Sequence, residues 1–338
     1  TKTSFDTLPQ DWLSIAEARQ SILSSCLTLA HEDVPLEECV VRALAQDVFA
    51  TATLPPWDNS AMDGYAVRHE DLVGAQAASP VVLRVIGEIR AGGTALGTLG
   101  KGEAMRIMTG APVPQGADAV VRVEDTDAEK DTPGQVIVRV SPAPRKDIRP
   151  GGQDMLEGEK LLGAGTCLGP GQIGLLAATG AVKVPVHRRP RVAVLSNGDE
   201  IAPLSEFHRV KSGEAIPETN APTLSASVGC AGCIPLPLGI ARDNPESIIE
   251  KVDRARDQRA DVLVTSGGAS MGEHDLFKRV LDGQGFKLDF WRVKMRPGTP
   301  LSFGFLPLHE GPPMPVFGLP GNPASSFVTF QMLCRPFL

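Results

Sequence analysis

From Arg191 to the end of the chain, short apolar runs alternate with helical patterns, and this constrains the fold more than any other feature of the sequence. RVAVLS reads as a buried strand, a helix opens near Asn220 and stops by Gly229, and CIPLPLGIA is strand-like again. N-P-E-S at Asn244 opens a further helix with Ile248, Val252 and Ala255 on one face. DVLVT, the helix HDLFKRVLD, a strand near FWRVKM, and PVFGLPGNP leading into the helix SSFVTFQML complete the series. Such alternation predicts a mainly parallel sheet covered by helices on both faces. Ligands of these sheets bind outside the carboxyl ends of the strands.

The first half follows other patterns. Ser14 and Glu17 make a capping box for a helix expected to run to about Ala30, with Ile15, Ala18, Ile22, Cys26 and Leu29 on one face. After a strand-like VPL, a second helix is expected from roughly Leu36 to Asp47. Between Thr51 and about Val140, VVLRVIGEI, DAVVRVEDT and QVIVRV are short, rich in β-branched residues and separated by Gly and Pro, which predicts a small β domain. Arg145 to Val186 is turn-rich and holds at most one short helix before Gly180. At 338 residues the chain is too long for one ordinary core, and 35 glycines with 29 prolines suit several parts joined by tight turns. The expected fold class is multidomain α/β plus β.

Several function classes are disfavoured. A formal charge of −7 argues against a basic surface for nucleic acid or membrane. No apolar run approaches the roughly 20 residues that span a bilayer, and TKTSFDTLPQDW lacks the basic and apolar regions of a signal peptide, so a cytoplasmic protein is expected. Among the cysteines only Cys230 and Cys233 are closely spaced, with neither a second pair nor a His at ligand spacing; buried thiols in a reducing compartment explain them better than zinc. GPGQIG, Gly169 to Gly174, mimics a dinucleotide fingerprint, but proline takes the second position and no clear βαβ unit surrounds it.

Polar clusters follow the predicted strands. RVAVLS runs into Asn197, Gly198, Asp199 and Glu200; the GIA strand into Arg242 and Asp243; DVLVT into TSGGASMGEHD; and PVFGLP into Gly321, Asn322 and Pro323. Adjacent glycines before a helix build a cradle of backbone N–H groups for an anion. Glu200, Asp243 and Asp275 are hard oxygen ligands suited to Mg²⁺, and a cation bridging phosphate and carboxylates reconciles the two features. In FWRVKMRPGTP, Arg292, Lys294 and Arg296 alternate, which on a strand places three cations on one face, able to neutralise a pyrophosphate or oxyanion. Asp63 in DNSAMDGYAV and Thr109 in RIMTGAPVPQGAD sit in turn-like segments.

Taken in order, PPWDNSAMDGYAV, RIMTGAPVPQGADAVV, LSNGDE, TSGGASMGEHD, MRPGTPLSFG and GLPGNPASS resemble the MoeA family of molybdopterin molybdenumtransferases, related to the E domain of gephyrin. The resemblance runs from about Leu13 to the end of the chain. It implies insertion of molybdate into adenylylated molybdopterin with Mg²⁺-dependent release of AMP, by a homodimer supplied by a molybdopterin adenylyltransferase. It also implies three domains: a discontinuous elongated helix/strand dimerisation domain (1–46 and 141–187), a β-rich domain (47–140), and a three-layer αβα domain like MogA or MoaB (188–338). By motif matching, Asp63, Thr109, Asp154, Glu200, Asp243, Asp275, Arg292 and Arg296 fall on functional positions, with Asp63 and Thr109 reaching the cleft from the partner subunit. Ser266, Gly267, Gly268, Lys294, Pro320, Gly321, Asn322, Pro323 and Ser325 would hold the pterin phosphate and neighbouring groups, and Glu200, Asp243 and Asp275 the metal. Thr299 stands where many relatives carry Lys, Asn197 where Thr is usual, and relatives continue past Phe337 into a further small β domain.

Two rival expectations share parts of this pattern. A non-catalytic scaffold of the gephyrin kind would bind a partner peptide away from the acidic rim. A hydrolase of a nucleotide-like pyrophosphate would use the same metal and phosphate features without needing molybdate.

Overall fold

A computed structural model of the chain describes residues 12–93, 97–267 and 276–338. By its internal contacts the chain divides into two compact units: Thr1–Ala45 with Cys167–Pro170 and Lys183–Leu338, and Gln46–Thr166 with Gly171–Val182. The stretches 1–46 and 141–187, expected to form one domain, are thus shared between these units.

Helix α1 spans Ile15–Ser24 and opens on the expected capping box: the Ser14 hydroxyl accepts from Glu17 N–H at 3.2 Å and Glu17 reaches back to Ser14 N–H at 2.7 Å. It ends at Ser24, well before Ala30, so Cys26 and Leu29 lie outside it and only Ala18 and Ile22 are buried. The expected second helix also fails. Leu36–Glu38 is a single 3₁₀ turn, after which Val41 N–H bonds to Leu168 O and Ala45 N–H to Pro185 O, so long-range pairing replaces local helix hydrogen bonds.

The second unit carries a five-stranded sheet of β1 (Gly64–Val67), β2 (Val81–Ile89), β3 (Glu103–Ile107), β4 (Ala119–Arg122) and β5 (Gln135–Val138), in the order β4-β1-β3-β2-β5. Both faces are covered. Tyr65, Val67, Ala119 and Val121 enter one apolar cluster, while the intervening Ala66 and Val120 enter another with Met105 and Ile107. Gly64 is required here, since a Cβ would lie 1.9 Å from Val121 O. A short helix, α2 (Pro170–Ala178), begins inside the GPGQIG segment.

In the first unit, β6 (Arg191–Asn197), β7 (Ile234–Ala241), β8 (Val262–Ser266), β9 (Lys287–Trp291), β10 (Ser302–Leu306) and β11 (Met314–Leu319) form one sheet in the order β7-β6-β8-β11-β10-β9. Four neighbouring strands are parallel, and at one side β10 runs antiparallel to both β11 and β9, so β10 alone is reversed in a sheet that is mixed but mainly of one direction, as expected. Its helices are α3 (Phe207–Lys211), α4 (Asn220–Cys230), α5 (Pro245–Asp257), α6 (Leu276–Gly283) and α7 (Pro323–Thr329). Strand alternation sorts the core: Val192 and Val194 of β6 pack with α1 and α4, while Ala193 and Leu195 face α5 and α6. In α5, Asn244 caps the start through Ser247 N–H at 2.8 Å, and Ile248, Val252 and Ala255 are the buried face, as their spacing predicts.

Candidate active site

Because β6, β7, β8 and β11 are parallel neighbours, their carboxyl ends lie side by side, with Asn197 opposite Ala241, and Ser266 opposite both Ser196 and Leu319. The loops leaving them therefore meet at one edge, as the alternation of strands and helices predicts. Gly267 has φ +89°, and a Cβ on it would lie 2.5 Å from Asn197 O, so only glycine lets this turn press against the end of β6. Asn220, the first residue of α4, ties the edge together: its Nδ2 donates to Ser266 Oγ at 2.5 Å and to Gly321 O at 2.7 Å.

Beside this junction lies a cavity of about 460 Å³. From the phosphate-holding set, Ser266, Gly267, Gly321, Asn322 and Pro323 line it, joined by Glu200. Pro320 is the buried residue leading into this turn, and Ser325 lies in the first turn of α7, where its N–H is capped by Asn322 Oδ1 at 3.2 Å. Gly268 and Asp275 lie outside the described residues.

The acidic side of the edge is organised by hydrogen bonds. Asp243 accepts from Asn197 Nδ2 at 2.9 Å and from Asp199 N–H at 3.4 Å, and its own N–H donates to Asp199 Oδ1 at 3.2 Å. Arg242 Nη1 donates to the carbonyls of Gly198, Asp199 and Ile201 at 3.4, 3.3 and 3.2 Å, fastening the loop that carries Glu200. Among the described residues no three His, Cys, Asp or Glu side chains gather as a metal site. Mg²⁺ typically takes one or two carboxylates plus substrate phosphates. The exposed Glu200 and Asp243 supply hard donors of that kind, so the donor set fits such an ion and does not make a closed protein cage.

The basic segment departs from expectation. The strand β9 stops at Trp291, and Arg292 has φ +78°, so Arg292, Lys294 and Arg296 do not share one strand. The Arg292 guanidinium stacks on the rings of Trp291 and Trp12, at 4.1 and 5.1 Å from their centroids. Lys294 and Arg296 are exposed on a loop whose intervening Val293 and Met295 are buried. Sequence reasoning missed part of the cavity wall: Ile201, Ile216, Pro217, Glu218 and Thr219. The signal available was EAIPET directly before α4, in which Glu218 stands three residues ahead of Ala221 and accepts its N–H at 3.0 Å.

In the second unit, two expected site residues meet. Asp63 Oδ1 accepts from Thr109 N–H at 2.7 Å and from its hydroxyl at 2.9 Å, which holds the Asp63 carboxyl below the usual carboxylate range. Asp154 lines a separate hollow of about 310 Å³ with Gly110 and Arg149.

An open α/β sheet with a glycine turn and carboxylate-bearing loops at the ends of its parallel strands defines a ligand-binding protein of the doubly wound class. Residues 13–180 match the family model for the MoeA N-terminal region (domain I and II), and residues 193–338 that for a "Probable molybdopterin binding domain". The chain is 40% identical over 298 residues to the molybdopterin molybdenumtransferase of Nostoc sp., which covers 88% of this chain and 66% of that relative. It is 36% identical over 327 residues to the Haemophilus influenzae protein of the same name, covering 96% of this chain and 77% of the relative. The crystal structure of the molybdopterin biosynthesis moeA protein from Pyrococcus horikoshii matches at a TM-score of 0.79 and 30% identity, covering 97% of this chain and 78% of that one. The chain belongs to the MoeA family. No helix among the described residues is long and apolar enough to cross a membrane.

Proposed function

We propose that the protein is a molybdopterin molybdenumtransferase of molybdenum cofactor biosynthesis, using adenylylated molybdopterin and molybdate as substrates and releasing AMP. The observation that carries this reading is the convergence, at the ends of β6, β7, β8 and β11, of the close-packed Gly267 turn with the loops bearing Glu200 and Asp243. Cleaving a phosphoanhydride asks little covalent help of a protein but much positioning and charge neutralisation. Ser266, Gly267, Gly321 and Asn322 would hold phosphate oxygens. Glu200 and Asp243 would hold Mg²⁺, which when bound supplies positive charge to the scissile phosphates. Arg242 keeps the Glu200 loop in place through three carbonyls, and Asn197 orients Asp243. Lys294 and Arg296, exposed on their loop, are cations for the molybdate dianion. The roles of Asp63, Thr109, Asp154 and Asp275 in the reaction, the homodimer and a supplying adenylyltransferase belong to the same proposal.

The test is AMP release from adenylylated molybdopterin with Mg²⁺, with and without molybdate. Molybdate-dependent release is expected, and Glu200→Gln should lower kcat by at least about tenfold. Release that ignores molybdate would point instead to a hydrolase, and substrate binding with no release in any condition would contradict the transferase reading.

A further inference from the structure

The wall of the cavity missed by sequence reasoning contains an acceptor with nothing to accept. Glu218 is only 8% exposed, and its Oε1 is occupied by Ala221 N–H at 3.0 Å, while its Oε2 is buried and without a partner. Leaving a buried carboxylate oxygen unpaired costs stability that an ordinary helix cap does not require, since a serine or asparagine would cap α4 as well. On the same cavity, Asn197 Oδ1 is also buried and unpartnered. Both orphan atoms are acceptors, so the chemistry that completes them is a donor.

That donor is better matched by a neutral N–H than by a cation. Glu218 sits at the amino end of α4, an eleven-residue helix whose N-terminus already sets partial positive charge beside the carboxylate, so a full cation is disfavoured there. Its neighbours on the wall, Ile201, Ile216 and Pro217, are apolar, which suits the face of a flat ring and not a hydrated ion. Ile216 is 55% exposed, so a ring laid on that wall would cover its apolar surface. The glycine-bearing side of the cavity meanwhile suits phosphate.

Resting on the molybdopterin reading above, we infer that Glu218 determines specificity by accepting a hydrogen bond from the amino edge of the pterin ring. The experiment uses the full chain and two probes measured by calorimetry: 6-hydroxymethylpterin phosphate, and its lumazine analogue, in which the 2-amino donor is replaced by a carbonyl. Wild-type protein should prefer the pterin by about tenfold or more, as expected when a buried polar partner is left unpaired. Glu218→Gln can keep an oxygen on Ala221 N–H while presenting an NH₂ where Oε2 stood, so it should lose or reverse that preference. A purely structural cap would weaken both probes alike, and that result, or equal affinity of wild-type protein for both, overturns the inference while leaving the function standing. Should the variant not fold, the wild-type preference alone decides. If wild-type protein binds neither probe, the inference and the molybdopterin reading fall together.

Discussion

At the scale of single residues, the pairing of Asp63 with Thr109 is the clearest case of sequence motifs turning into chemistry. The two lie 46 positions apart, yet the hydroxyl and N–H of Thr109 both serve one carboxylate oxygen. Since the folded value of Asp63 is depressed, its contribution to stability is present above its unfolded pKa of about 3.9 and is lost as pH falls through the lower folded value. Thr109→Val removes the hydroxyl and should move the Asp63 titration up towards the ordinary range, read by carboxyl carbon NMR; an unmoved midpoint would show that the backbone N–H suffices. The cysteines give a second check. Cys167 and Cys230 are exposed, while Cys233 is buried, and burial pushes its thiol up to about 11. A thiol reagent at neutral pH should label Cys167 and Cys230 quickly and Cys233 only on unfolding; rapid loss of both thiols of the CAGC pair together would favour redox chemistry there.

Among the elements, those whose local signals agree with their long-range contacts were legible. Helix α5 is the model case: Asn-Pro at its start, a three-residue apolar face, and burial of those same three residues. Asn244→Ala should destabilise this unit by about 1 kcal/mol in denaturant unfolding. Where tertiary pairing competes, the reading failed. Leu36–Asp47 has apolar spacing suited to a helix, but Val41 takes φ +62° and the chain pairs instead with Leu168 and Pro185. The Arg292–Arg296 alternation looked like a strand because period two does not reveal that the ladder stops at Trp291. Gly267 marks where element and site coincide. Gly267→Ala would meet Asn197 O at 2.5 Å in a left-handed backbone, and should cost about 1–3 kcal/mol and weaken phosphate binding. A variant as stable and as tight-binding as wild type would show that the turn relaxes easily.

For the whole molecule, the order of strands and helices after Arg191 was enough to bring the polar loops of the candidate site to one sheet edge, because parallel strands must end together. Glu200, Ser266, Gly267 and Gly321, which line the cavity, and Asp243, bonded to Asn197 beside it, were expected at strand ends in this way. Glu218 and its apolar neighbours were not, since they enter through Ile216–Pro217, a two-residue strand paired with Ile201–Ala202 outside the main sheet, which carries no periodic signal. On the proposed function, substrate occupies the edge formed by β6, β7, β8 and β11. Hydrogen exchange of the full chain with and without adenylylated molybdopterin tests it most directly. Slowed exchange is expected at Asn197–Ile201, Ile216–Ala221 and Ser266–Gly267. Protection confined to the second unit, with these segments unchanged, would contradict it.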